Sequence, residues 1–378
     1  MLMPGGVVLA VGVASFMRAP LLPEIGRDLG IGAADLAMLT TAFAIGRLTM
    51  DLPAGRLADR WPPGRVLAGT GLGVGISAAV LGSATTLAQA LAGVFFLGVA
   101  SSLTNTTGMT LFATSAPAER RGAAMAAFSM ALMTGQTLGP AVGGIVAGLG
   151  GWRLAQAVAA VIGVGVMIAC LRVRTARRPA EPTPTAAATS ETGLTRTQAA
   201  VLASVPFAVF FTLGALPQTL LPVIGSDDLA LSATVIGIAL GAGGAVRFAG
   251  SVLAGAISDR VSRKAALVPS LLVMAGAVAI LAAPPTLVTW LVAIAVLSIA
   301  SSGIAVAATI IADHVPADSV GRRLGAFRFT GDFGLLAGPA LTGVLYQNAG
   351  RATAMLVTAG LLTACAVASA LLAPGARA

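Results

Sequence analysis

Two long apolar runs are separated by Gly55-Arg56-Leu57-Ala58-Asp59-Arg60 and a short turn that ends at Arg65. The same pattern returns as Gly255-Ala256-Ile257-Ser258-Asp259-Arg260, followed by Arg263 and Lys264. The Gly, Asp and Arg of the first copy recur 200 positions later. The sequence therefore predicts two related halves, with this loop at the equivalent place in each.

A second set of landmarks supports the duplication. Gly135, Gly139, Pro140 and Gly144 return at an offset of 199 as Gly334, Gly338, Pro339 and Gly343. The offset falls by one because the turn at 61–64 is one residue longer than its counterpart at 261–263. Internal repeats of this kind are typical of many secondary transporters.

The composition is that of an integral membrane protein. Hydrophobic residues make up 57% of the chain and charged residues only 10%, against about 25% charged in soluble domains. The mean hydropathy is +0.93. A helix needs about 20 apolar residues to cross the bilayer core. Twelve such spans are predicted, near 3–23, 34–57, 64–84, 86–114, 121–148, 152–172, 199–222, 231–257, 265–283, 286–312, 321–346 and 351–373.

We therefore predict an all-α membrane protein with twelve transmembrane helices in two pseudo-symmetric six-helix bundles. The first half covers residues 1–172 and the second covers 198–378. Between them, residues 173–197 form a Pro- and Arg-containing stretch, which predicts a flexible cytoplasmic linker.

Basic residues predict the orientation, because cytoplasmic loops collect Lys and Arg. Sixteen lie after even-numbered spans or at the C-terminus, and only Arg27, Arg153 and Arg351 lie in the opposite loops. Both termini are therefore expected in the cytoplasm.

The net charge of +9 follows from this topology. It favours anionic lipid at the inner face and is no indication of nucleic-acid binding. Arg-rich, Lys-poor usage favours a prokaryotic inner membrane.

Six charged residues fall at least five positions from the ends of the predicted spans: Arg18, Arg47, Asp51, Arg247, Arg328 and Asp332. An ion in the membrane interior costs several kcal/mol unless it is paired. We therefore predict that these six, with the polar Asn105 and Gln136, bind substrate or couple its movement to an ion. Static pairs within one helix are one interpretation, because Arg47 and Asp51 are four residues apart, as are Arg328 and Asp332.

Arg247 repeats Arg47 in the second half, but Ser251 stands where Asp51 stood. Arg247 therefore lacks a carboxylate on its own helix. Arg18 either snorkels towards the outer surface or, like Arg247, serves to bind an anion.

The loop pattern resembles the signature of the major facilitator superfamily, which is carried here by Gly55, Asp59, Arg60, Gly64 and Arg65. The weaker second copy consists of Gly255, Asp259, Arg260, Arg263 and Lys264. The resemblance covers the whole chain. It implies that Asp59, Arg60 and Arg65 form a latch that favours the outward-facing state. The alternative is that these residues only fix the topology.

The resemblance also implies a second pairing scheme for the buried charges. In the family fold, spans 2 and 11 face each other across the seam between the halves. Arg47 would then pair with Asp332 and Asp51 with Arg328. Such cross-pairs would close an inner gate or exchange protons.

A stretch in span 5 is similar to the Gly-x-x-x-Gly-Pro-x-x-Gly-Gly pattern of exporters that exchange drugs or metabolites for protons. It consists of Gly135, Gly139, Pro140, Gly143 and Gly144, and it predicts a bend. Gly338 and Pro339 repeat part of it in the second half. Val94 departs from the family pattern, which has an arginine in span 4 at the equivalent place.

These features predict a secondary transporter that works by alternating access, with export of small organic molecules or drugs in exchange for protons. The alternative is transport of a small anion bound by Arg247, with Arg18 as a second candidate. An aspartyl protease built on Asp51 and Asp332 is disfavoured, because each has an arginine four residues away that would keep it ionised. With one His and two Cys, no metal site or cofactor is expected. We expect a monomer, and a binding-only receptor stays open.

Overall fold

Helices account for nearly all of the computed structural model, which describes residues 2–117, 120–172, 195–260, 262–314 and 320–373. Five helices precede the first long one: α1 (Leu2–Phe16), α2 (Leu22–Leu29), α3 (Ala33–Arg60), α4 (Pro63–Gly82) and α5 (Leu87–Ser115). The remainder are α6 (Arg121–Arg172), α7 (Arg196–Ala215), α8 (Leu221–Asp227), α9 (Ala233–Arg260), α10 (Arg263–Ile280), α11 (Leu287–Ala300), α12 (Ile304–His314) and α13 (Val320–Leu372).

Two helices are too long for a single crossing. Helix α6 has 52 residues and α13 has 53, or about 80 Å at ~1.5 Å per residue. Each is broken where a glycine adopts a positive φ, 76° at Gly151 and 82° at Gly350. These glycines are 199 positions apart and lie between the predicted spans on either side. Each long helix therefore contains two spans.

The described residues contain nine helices that are long and apolar enough to cross a membrane. Two of them, α6 and α13, each contain two spans. Helix α3, which carries Arg47 and Asp51, is not among the nine, and with it the described helices are consistent with the twelve predicted spans. The described part of the chain contains no strand. The predicted all-α membrane fold is confirmed.

The duplication is visible in how glycines pack. On α6, the carbonyl oxygens of Leu9 and Val13 lie 2.6 and 2.8 Å from where a Cβ on Gly135 and Gly139 would stand. The carbonyl of Met17 blocks the same place on Gly143. Small residues at such spacing let helices approach closely in membranes.

On α13, Gly334 and Gly338 meet the carbonyls of Phe207 and Phe211 on α7 in the same way. In both repeats, a step of four residues on one helix matches a step of four on its neighbour. The two sequence halves therefore build the same tight helix pair.

By internal contacts, the described chain separates into two units. The first contains residues 2–172 and Gly225–Gly244, and the second contains residues 195–224 and 245–373. The start of α9 groups with the first unit because it packs on α6. The predicted boundaries at 172 and 198 stay a prediction, and most of the predicted linker lies outside the described residues.

Candidate functional site

Asp51 is positioned by a close contact between α3 and α5. Backbone carbonyls fill the space where side chains on Gly46 and Gly98 would stand, so only glycines fit at this contact. One turn beyond Gly98, the Ser102 hydroxyl donates a hydrogen bond to Asp51 Oδ1. This carboxylate is half-buried, and the predicted coupling residue therefore has a partner on a neighbouring helix of the same unit.

The polar stretch of α5 faces the protein interior. Ser101, Ser102 and Thr104 are buried, and Asn105 is 8% exposed. The predicted site residue Asn105 therefore lies on the same interior helix segment as the partner of Asp51. Side chains on the lipid-facing side of a helix are exposed in the structure, so burial of these residues means that they contact protein.

Arg18 lies where α1 gives way to a 3-10 turn at Ala19–Leu21. Its side chain is only 2% exposed. Its guanidinium carbon stands 4.2 Å from the centre of the Phe43 ring, a cation–π contact. The snorkelling interpretation is therefore wrong, because the side chain turns inward onto an aromatic ring. Arg47 lies one turn beyond Phe43 on α3, on the same helix face.

The glycine–proline motif of α6 has two packing faces. Gly135 and Gly139 contact α1 and Gly143 contacts Met17 just after it, while Gly144 faces the start of α9, where the Ala233 carbonyl fills the place of a Cβ. On α9, Gly237 meets the carbonyl of Pro140 in the same way. Every position of the predicted motif therefore has a role in close packing within the first unit.

A side-chain hydrogen bond joins the same two helices, since Thr234 Oγ1 donates to the Gly144 carbonyl at 3.0 Å. The backbone of α6 keeps helical angles through Pro140, and its only non-helical residues are Gly150 and Gly151. The predicted bend at the proline stays a prediction. The predicted site residue Gln136 is half-buried beside this motif.

A charged cluster at the predicted outer end of the first unit escaped the sequence analysis. Asp28 Oδ2 accepts hydrogen bonds from Arg153 Nη2 at 2.8 Å and from Trp152 Nε1 at 3.2 Å. Arg27 Nη1 donates to Ser226 Oγ at 3.2 Å. An open cleft of about 460 Å³ is lined by Glu24, Arg27, Asp28, Trp152 and Arg153, together with the two glycines at 150 and 151. The cluster ties the end of span 1 to the turn between spans 5 and 6.

Irregular helix geometry occurs at equivalent places in the two repeats. The sequence Leu-Leu-Pro-x-Ile-Gly occurs at 21–26 and again at 220–225, an offset of 199. The first copy begins in the 3-10 turn Ala19–Leu21, and the second begins at the end of the π-helix Leu216–Leu220. Broken helices often mark ligand sites in transporters. This repeated hexapeptide is the sequence signal of the irregular geometry, and it was not among the predicted features.

Arg328 is exposed and Asp332 half-buried on α13. Both make contacts within the structure. Their predicted pairing with Arg47 and Asp51 stays a prediction.

The residues of the two predicted loop motifs lie at the C-terminal ends of α3 and α9 and in the first turns of α4 and α10. Arg60 and Arg65 are exposed, and Lys264 Nζ donates to the Ala370 carbonyl at 3.4 Å. Arg263, the first residue of α10, is half-buried. The side chains of Asp59, Asp259 and Arg260 lie outside the described residues, as does the environment of Gly255. The latch itself stays a prediction.

A duplicated bundle of membrane-spanning helices, with polar and charged groups held inside its spans, defines a membrane transporter. The family model of the Major Facilitator Superfamily matches residues 5–246 and 199–378. The chain therefore belongs to this family. It is a multi-pass membrane transporter of small molecules and not an enzyme.

Two relatives have names that refer to drug resistance or to efflux. It is 31% identical to a chloramphenicol resistance protein of Streptomyces lividans over 303 residues, or 75% of this chain and 74% of the relative. It is 30% identical to the efflux pump azaK of Aspergillus niger over 186 residues, or 46% of this chain and 39% of the pump. The predicted resemblance to the drug-exporter branch is confirmed.

Solved structures share the fold at low sequence identity. A bacterial homologue of the human lysosomal transporter Spinster, inward-facing and occupied, aligns with a TM-score of 0.83 at 18% identity, covering 98% of this chain and 95% of that one. The nucleoside transporter NupG aligns with a TM-score of 0.79 at 15% identity, covering 98% and 99%. These likenesses concern the fold alone.

Proposed function

We propose that this protein exports small organic molecules across the inner membrane in exchange for protons. The observation that carries the proposal is the similarity to a chloramphenicol resistance protein over three quarters of both chains. The exporter motif of α6 supports it, because all its glycines are in close helix contacts. Chloramphenicol is the first compound to test.

Asp51 is the proposed proton carrier. It is a carboxylate inside a predicted span, half-buried, and held by the hydroxyl of Ser102. A side chain in that setting can exchange a proton while the hydroxyl keeps its geometry. This role does not depend on the arginine of span 4 that Val94 replaces.

We infer a monomer with both termini in the cytoplasm and a basic inner face that favours anionic lipids. One observation favours the alternative function, transport of a small anion: the cationic Arg247 lies inside a predicted span. It is compatible with export when the exported molecule is itself anionic.

Export is tested in inverted membrane vesicles from cells that express the protein. Radiolabelled chloramphenicol should accumulate when a proton gradient is imposed, acid inside, and should leave when the gradient is collapsed with a protonophore. Vesicles from cells that carry the empty vector provide the baseline. Equal uptake in both preparations, for chloramphenicol and a panel of neutral and charged drugs, would refute the proposal.

A further inference from the structure

Arg247 lies on the buried side of α9. Ile236, Leu240 and Gly243 precede it at helical spacing and Gly250 follows it, and all four are buried. Arg247 itself is half-buried. Its position within Ala233–Ser251 places it inside an apolar span. The side chain therefore leaves the helix on the protein side, and part of it is still accessible.

No residue with a described side chain gives the Arg247 guanidinium a hydrogen bond or an ion pair. Ser251, which replaces the aspartate of the first repeat, donates its hydroxyl to the Phe248 carbonyl of its own helix at 2.7 Å. In the first repeat, the equivalent arginine, Arg47, has Asp51 one turn away. The second repeat thus keeps the cation and has lost the acid.

The charges inside the spans are unequal. Well inside the predicted spans there are four arginines, Arg18, Arg47, Arg247 and Arg328, and two aspartates, Asp51 and Asp332, which gives an excess of two positive charges. A charge in the membrane interior costs several kcal/mol unless an opposite charge compensates it. A permanently cationic substrate would add to this excess, whereas an anionic group would reduce it.

We propose that Arg247 binds an anionic oxygen group of the transported molecule, so that the preferred cargo is an amphipathic organic acid. A guanidinium holds a carboxylate by two parallel hydrogen bonds, which gives both affinity and orientation. Lipophilic cations are then poor substrates. The direction of transport rests on the proposed function, but the binding site does not.

Binding is measured with three fluorescent probes that share one fluorophore and differ in charge: dansylglycine, which is anionic, its neutral amide, and the cationic dansylcholine. The protein is reconstituted in nanodiscs of zwitterionic lipid, and empty nanodiscs correct for partition into lipid. Wild type should bind dansylglycine at least tenfold more tightly than the amide, and dansylcholine most weakly.

Arg247→Gln removes the charge and should abolish the preference for dansylglycine over its amide, while Arg247→Lys should keep part of it. The matched control is Arg196→Gln, which removes the same charge from an exposed residue at the start of α7, and it should behave like wild type. The amide's affinity in Arg247→Gln reports whether the variant is folded. If Arg247→Gln binds neither dansylglycine nor the amide, the comparison is made with Arg247→Lys instead. That variant must bind the amide, which shows that it is folded.

Three results would overturn the inference: dansylcholine bound as tightly as dansylglycine, an unchanged anion preference in Arg247→Gln, or no binding of dansylglycine by wild type. Transport of the same probes in vesicles distinguishes a failure of the Arg247 site from a failure of the export proposal. Anion-selective binding without outward transport contradicts export alone. Outward transport without anion preference contradicts the Arg247 site alone.

Discussion

Asp51 and Ser102 show how a side chain on one helix can hold a half-buried carboxylate on another. The Ser102 hydroxyl is the described partner of Asp51 on α5, and hydrogen bonds to charged groups are worth about 1.5–3 kcal/mol. Ser102→Ala should therefore lower proton-driven export about tenfold, and Ser102→Thr, which keeps the hydroxyl, should retain most of it. Initial rates in inverted vesicles measure the effect.

The control for this prediction is Ser83→Ala. Ser83 is exposed in the connection between α4 and α5, and its hydroxyl donates to the Val80 carbonyl of its own chain segment. An equal loss in Ser83→Ala and Ser102→Ala would show that the effect is not specific to Asp51.

Asp51→Asn tests the proton carrier directly. An amide keeps the shape of the carboxylate but cannot carry the proton, so gradient-driven accumulation should fall to the empty-vector level. Exchange of labelled for unlabelled substrate without a gradient should persist, because it requires no net proton movement. Asp35→Asn, in the first turn of the same helix, is the matched control. Gradient-driven transport that survives in Asp51→Asn would exclude this aspartate as the carrier.

Residue-level partners were the least predictable part of the molecule. The sequence placed Arg18 and Asp51 inside spans, but it left open whether Arg18 pointed outward. The answer depends on the Phe43 ring, which lies on another helix. Likewise, the contact between Ser102 and Asp51 depends on how α3 and α5 are aligned at Gly46 and Gly98. No single stretch of sequence contains that alignment.

Helix pairs are built by glycines at spacings of four residues, and the chain offers matched tests. On Gly143 of α6 and Gly338 of α13, a methyl group would collide with backbone of the neighbouring helix. Gly165 and Gly360, in the same two long helices, have no such neighbour within 4 Å. The repeat therefore predicts the same contrast twice.

Gly143→Ala and Gly338→Ala should each destabilise the protein by roughly 1–3 kcal/mol, the usual cost of overpacking. Gly165→Ala and Gly360→Ala should be close to neutral. The measurement is the midpoint of thermal unfolding in detergent, monitored by tryptophan fluorescence. The yield of monodisperse protein is a second measurement. If all four variants unfold at one temperature, the glycine contacts do not determine stability.

The elements themselves could be predicted well because their signal is local. Length and apolar content identify a span without reference to its neighbours, and the predicted limits 34–57 and 64–84 lie within a few residues of α3 and α4. The repeated hexapeptide at 21–26 and 220–225 was missed because it lies within continuous apolar runs. Within such a run, hydropathy does not reveal that the helix geometry becomes irregular near the prolines.

At the scale of the whole molecule, the distribution of arginines predicts which ends of the spans face the cytoplasm. Sixteen basic residues on one side against three on the other are a strong bias under the positive-inside rule. The structure supplies positions at which the bias can be tested. The two native cysteines, Cys170 and Cys365, are only 2% and 6% exposed, so they should not react with a bulky maleimide.

Two introduced cysteines should therefore report opposite sides of the membrane. Ser83 is exposed between α4 and α5 on the predicted outer side, and Thr197 is exposed in the first turn of α7 on the predicted inner side. An impermeant maleimide should label Ser83→Cys in intact spheroplasts and Thr197→Cys only in inverted vesicles. The parent protein, labelled in neither preparation, is the control.

The reversed pattern would place both termini outside, and labelling of both sites from one side would contradict an odd number of crossings between them. Either result would remove the basis for assigning Arg60 and Arg65 to a cytoplasmic latch.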